Sequence, residues 1–103
     1  MKLLNSFSLN MLATFPAQPL FEEISLDEAR MALGSNLESA VGHSDTAAVF
    51  ASQLCMSVPV NRATVSLKKG DVAVIGQYRG PRLPEGATAL PVGATIQWLK
   101  VTV

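Results

Sequence analysis

The chain has one cysteine, Cys55, and one histidine, His43. A single cysteine excludes an internal disulfide and any cysteine-based metal site. A single histidine excludes a multi-histidine metal site. Both absences fit a reducing, cytoplasmic setting. Charged residues make up 16% of the chain, against about 25% in an average soluble domain. With 49% hydrophobic residues, that scarcity excludes intrinsic disorder and points to apolar surface covered by a partner. No apolar run reaches the about 18 residues a membrane helix needs. The N-terminus, Met1-Lys2-Leu3-Leu4, starts like a signal peptide, but Asn5, Ser6, Ser8 and Asn10 interrupt it and no small-residue cleavage site follows. It reads as mature structure. Net charge is zero, so no global basic field draws the chain onto duplex DNA.

The 103 residues suffice for one core, and the chain reads as a single domain over 1–103. Charge is unevenly placed. Between Glu22 and Asp45, the six acids Glu22, Glu23, Asp27, Glu28, Glu38 and Asp45 face only Arg30. From Arg62 onward, Arg62, Lys68, Lys69, Arg79, Arg82 and Lys100 face only Asp71 and Glu85. An anionic ligand would find its cations there.

The patterning predicts an α/β or α+β domain, with a mixed sheet of about five to six strands and two helices packed on it. Leu3 to Phe7 reads as a short strand and Ser8 to Leu12 as a turn. Phe21 to Ile24 is a second strand. Ser25 with Glu28 forms a capping-box pattern opening a helix. Leu26, Ala29 and Leu33 share one face of it, and Gly34 stops it. Leu37 to Val41 is extended. A second helix opens at Ser44-Asp45-Thr46, buries Val49, Phe50 and Leu54, and ends near Cys55 or Met56, ahead of Pro59. Cys55 reads as a small buried hydrophobe. Ala63 to Leu67 alternates like a half-buried strand. Lys68-Lys69-Gly70-Asp71 reads as a hairpin turn. Val72 to Ile75 is apolar throughout, like a central strand covered on both faces. Arg79 to Pro91 is a loop, and Thr95 to Val103 a last strand.

Four segments hold residues suited to chemistry. In Gly42-His43-Ser44-Asp45-Thr46 a histidine sits at a helix N-terminus, where free N–H groups attract phosphate and a protonated imidazole can serve a leaving oxygen. On local pattern alone it reads more simply as an ordinary helix start capped by Ser44 or Asp45. In Arg82-Leu83-Pro84-Glu85-Gly86 a shaped loop offers a guanidinium suited to bidentate phosphate contact. Glu85 is placed to orient Arg82 or a ribose hydroxyl. Alone, this too reads as a surface loop with an exposed ion pair. Asn5-Ser6-Phe7-Ser8-Leu9-Asn10 supplies neutral donors at a strand end, or merely a turn. Asn61-Arg62 is either a further polar contact or the start of a strand.

Together, in this order and spacing, NSFSLNMLATFP, AVGHSDT, PVNR, KKGD and RLPEG resemble the viral anti-CRISPR ring nuclease family. These are small proteins of archaeal viruses, phages and some bacteria. The resemblance covers roughly residues 1–87, and the GH-x-x-T and RLPEG blocks are its specific part. Beyond Glu85 the chain departs, with Pro91-Val92-Gly93 leading into a strand where relatives often have an acidic helical segment.

The resemblance implies a homodimer whose shared cleft binds cyclic tetra-adenylate. It implies cleavage without a metal or other cofactor to linear di-adenylates ending in 2′,3′-cyclic phosphate, which switches off type III CRISPR signalling. By motif, His43 matches the catalytic histidine, and Arg82 and Glu85 the active-site pair. Ser8 matches a ligand-contacting serine, and Asn5, Asn10 and Gly42 lie in matching binding segments. Glu85 comes second to His43 as the acid, because carboxyls are mostly ionised at neutral pH. The alternative is a module that sequesters a cyclic nucleotide, or binds a protein, without catalysis.

Overall fold

The computed structural model describes all residues, 1–103. Its elements are β1 (Lys2–Leu4), β2 (Leu20–Ile24), α1 (Leu26–Leu33), β3 (Glu38–Ala40), α2 (Ser44–Leu54), β4 (Val72–Arg79) and β5 (Thr95–Thr102), with a short 3-10 turn at Leu9–Met11. Five strands form one mixed sheet in the order β2-β5-β4-β1-β3. β1 lies parallel to both β3 and β4, while β5 runs antiparallel to β4 and β2.

Both helices cover one face of the sheet. There Leu3, Val74 and Trp98 meet Ala29 and Leu33 of α1, and Ala47, Phe50 and Leu54 of α2. The opposite face carries Leu4, Ala73, Ile75 and Val101, and no helix covers it. Its cover is the chain itself: Val65, Leu67, Phe7 and Met11 pack there. β4 is therefore buried on both sides, as its unbroken apolar run anticipates. It also extends past Ile75 to Arg79. Gly76 does not break it, because the missing side chain makes room for Phe50 and Trp98 from the helix side.

Three expectations are corrected. Ala63–Leu67 is not a ladder strand. It makes one isolated parallel bridge, Leu12 with Leu67, where the Leu67 amide donates to Met11 O (2.6 Å) and the Ala13 amide to Leu67 O (2.9 Å). The alternation is real, with Val65 and Leu67 buried between exposed neighbours, but it records an extended chain lying on a sheet. The Lys68–Asp71 turn closes through the Asp71 amide to Lys68 O (2.9 Å) and the Lys68 amide to Asp71 Oδ2 (3.0 Å). It leads into β4 without joining two paired strands. The actual hairpin is β4–β5, closed by the long 80–94 loop. Finally, β1 stops at Leu4, so Asn5 to Phe7 lies outside the sheet.

Both helix ends follow from local chemistry. The Ser25 amide donates to Glu28 Oε1 (3.0 Å) and the Glu28 amide to Ser25 Oγ (3.1 Å). The Gly34 amide closes α1 on Arg30 O, with φ +51°. Arg30 then serves the neighbouring helix. Its Nε donates to Leu54 O (3.1 Å) and its Nη2 to Gln53 O (2.9 Å), satisfying carbonyls that α2 leaves open at its C-terminus. Cys55 adopts a left-handed conformation there. It is exposed, not buried as expected, because a left-handed cap turns it off the packed face of α2.

Ser25's backbone amide, and then its side chain, hold the exposed Glu28 carboxyl below its usual value; a slight desolvation opposes this and the Lys100 charge adds slightly to it. A depressed folded-state value stabilises the fold above the unfolded carboxyl range, and that stability is lost as pH falls through the folded value. Glu28→Gln keeps the box geometry without the titration. The melting temperature of Glu28→Gln is expected to fall less steeply on acidification than that of the wild type. Identical acid slopes in a thermal-melt series would contradict this.

Candidate active site

The β3–α2 junction and the β4–β5 loop come together at one end of the sheet. They form an open groove of about 820 Å³ lined by His43, Asp45, Thr46, Tyr78, Arg82 and Glu85, among others. His43, Arg82 and Glu85, drawn from blocks some 40 positions apart, thus share one recess. The sheet explains why. α2 carries the chain from edge strand β3 to central strand β4, and the end of β4 then releases the loop beside the start of α2.

His43 is exposed and occupies the N-cap position of α2 in extended conformation (φ −122°, ψ 132°). Its carbonyl accepts from the Ala47 amide (2.9 Å), but its side chain makes no capping bond. Neither Ser44 nor Asp45 caps the helix, contrary to the simpler local reading. The imidazole is therefore uncommitted, beside the open N–H groups of the helix's first turn. Asp45 instead accepts a hydrogen bond from the Gly86 amide (3.0 Å).

The loop around Arg82 and Glu85 is shaped. The Tyr78 hydroxyl donates to Pro81 O (2.6 Å). The Ala87 amide donates to Pro84 O (3.1 Å), and Gly86 takes φ +79°, a conformation glycine adopts without strain. Arg82 and Glu85 are both exposed, and no ion pair joins them. The expected mutual pairing is absent, which leaves both side chains available to a ligand.

A second, shallower recess of about 330 Å³ shares His43 with the groove. It is lined also by Asn5, Ser6, Gly42 and Arg62. Arg62 Nε donates to Gly42 O (2.9 Å), and its Cγ lies so close to Gly42 that a Cβ there would stand 3.2 Å away. Glycine at 42 is thus explained by the crossing of Arg62. Asn5 and Gly42 belong to this recess. Ser8 and Asn10 are exposed on the Leu9–Met11 turn and line neither. Of the site-lining residues, Tyr78 lies outside every segment the sequence singled out; Asp45 entered only as a helix cap, and Arg62 as a polar contact or a strand start.

The STIV B116-like family model matches residues 1–92. The chain belongs to the STIV B116-like family. B116 of Sulfolobus turreted icosahedral virus has the same fold, with a TM-score of 0.82 at 24% sequence identity, over 99% of this chain and 97% of that chain. No curated protein matches the sequence. The family match takes in both halves of the groove and ends before β5. The structural likeness continues through β5, so the departure noted beyond Glu85 leaves the B116-like architecture whole. No helix of this B116-like fold is long and apolar enough to cross a membrane.

Proposed function

We propose that this B116-like protein is a metal-independent ring nuclease that binds cyclic tetra-adenylate and cuts it to linear di-adenylates with 2′,3′-cyclic phosphate ends. The observation that carries the reading is the convergence of His43, Arg82 and Glu85 on one groove at the N-terminus of α2. In the reaction, a ribose 2′-oxygen bonds to the adjacent phosphorus and the bond from phosphorus to the 5′-oxygen breaks. The protein holds the hydroxyl in line. Arg82 and the first amides of α2 stabilise the charge that builds on the phosphorane. His43 delivers a proton to the departing 5′-oxygen. The 2′-hydroxyl proton leaves to the Glu85 carboxylate or to water. A homodimer presents the site twice across its twofold axis, matching a ring of four phosphates. Removing the ring silences the effectors that it activates in type III CRISPR signalling.

The test is incubation with cyclic tetra-adenylate in EDTA, with products resolved by chromatography and the protein's mass read by light scattering. Di-adenylates and a mass near twice 10.9 kDa are expected. Arg82→Ala is expected to lower both rate and affinity, the rate by about 10²-fold as for loss of one charge-stabilising donor. An intact ring that is nevertheless tightly bound would replace cleavage by sequestration, and a clean monomer would remove the shared cleft.

A further inference from the structure

We propose that Asp45 and Tyr78 are positioning residues that latch the Pro81–Gly86 loop, so that Arg82 and Glu85 stand over the groove beside His43. The inference rests on reading that groove as a phosphodiester site, and it adds the device that assembles it.

The 80–94 segment has no helix or strand of its own. Between Pro81 and Gly86, two hydrogen bonds tie it to the body of the protein. Tyr78, near the end of β4, donates to Pro81 O at 2.6 Å. Asp45, in the first turn of α2, accepts from the Gly86 amide at 3.0 Å. The two bonds bracket Arg82 and Glu85, neither of which has an ion-pair partner of its own.

As an acid in the first turn of α2, Asp45 suits the helix dipole, but that role does not require a bond to the loop. A carboxylate lining a groove that receives phosphates opposes their binding. It has no cationic partner, and it does not cap its own helix. Its one bond reaches across 41 residues to the loop that carries the guanidinium. That bond couples the helix holding His43 to the loop holding Arg82. Small displacements of such groups are costly, since a misplacement of about 1 Å can lower a rate by about a hundredfold.

The test compares Asp45→Ala and Asp45→Asn with wild type in steady-state cleavage of cyclic tetra-adenylate and in NMR solvent exchange of the Gly86 amide. Asparagine keeps an oxygen to accept from Gly86 and loses the charge. Asp45→Ala is expected to speed Gly86 exchange and to lower kcat about tenfold, the worth of roughly one hydrogen bond, with KM little changed. Asp45→Asn is expected to restore both kcat and Gly86 protection. Tyr78→Phe, which removes only the hydroxyl, is expected to lower kcat in the same direction. Equal Gly86 exchange in wild type and Asp45→Ala, or an alanine variant with wild-type kcat, would overturn the latch. An inactive wild type whose Gly86 is still deprotected by Asp45→Ala would refute ring cleavage and leave the latch standing.

Discussion

His43→Ala is expected to bind cyclic tetra-adenylate as the wild type does and to cleave it about 10²–10⁴-fold more slowly, the usual worth of one acid–base group. The structure separates chemistry from folding at this position. The His43 side chain is exposed and bonds to nothing in its own helix, and the bond that starts α2 comes from its backbone carbonyl, which alanine retains. The melting temperature of the variant should therefore match that of wild type. The amides at the start of α2, with Arg82, remain to hold the phosphate, so calorimetric titration should show affinity within a few-fold. Single-turnover rates decide the matter. A variant that cleaves at the wild-type rate would remove His43 from the reaction and transfer the role of acid to another group.

Phe50→Ala is expected to cost about 3–5 kcal/mol of folding stability, the range for deleting a fully buried aromatic side chain. Phe50 is fully buried. Its ring lies 5.2 Å from that of Trp98, tilted by 55°. It also fills the space that Gly76 leaves: a Cβ at Gly76 would stand 2.6 Å from Phe50 Cζ and 2.8 Å from Trp98 Cζ3. Three residues from α2, β4 and β5 thus form one fitted contact that cannot close over a hole. A domain of this size has a total stability of about 5–15 kcal/mol, so the loss would leave it near its unfolding threshold. Because Phe50 shares α2 with His43 and Asp45, the groove should weaken with it. Urea unfolding checks the figure, and a loss below about 1 kcal/mol would show that the site repacks.

Some of this was written locally in the chain. The capping box of Ser25 and Glu28 and the stop at Gly34 specified α1 within a few residues. The apolar run at Val72–Ile75 announced a strand buried on both faces. The GH-x-x-T and RLPEG blocks pointed to His43, Arg82 and Glu85 only through the family they resemble. Other features resisted local reading for identifiable reasons. Ala63–Leu67 alternates because one side of an extended chain is buried, and burial alone does not say whether a neighbouring strand offers hydrogen bonds. Cys55 looked like a core residue because its helix is apolar, but a left-handed cap carried it outward. Arg30, the lone base among acids, gave no hint that it would cap the carbonyls of another helix.

The sequence by itself determined the mixed α+β composition and both helices, because capping and periodicity act over short distances along the chain; His43, Arg82 and Glu85 became candidates only through the family resemblance of their blocks. Only the tertiary structure decided the strand order, the placement of both helices on one face, and the meeting of Asp45 with Gly86 and of Arg62 with Gly42. Those are contacts between segments some 20 to 40 residues apart. They depend on where the sheet sends each strand end, and no local pattern of residues carries that information.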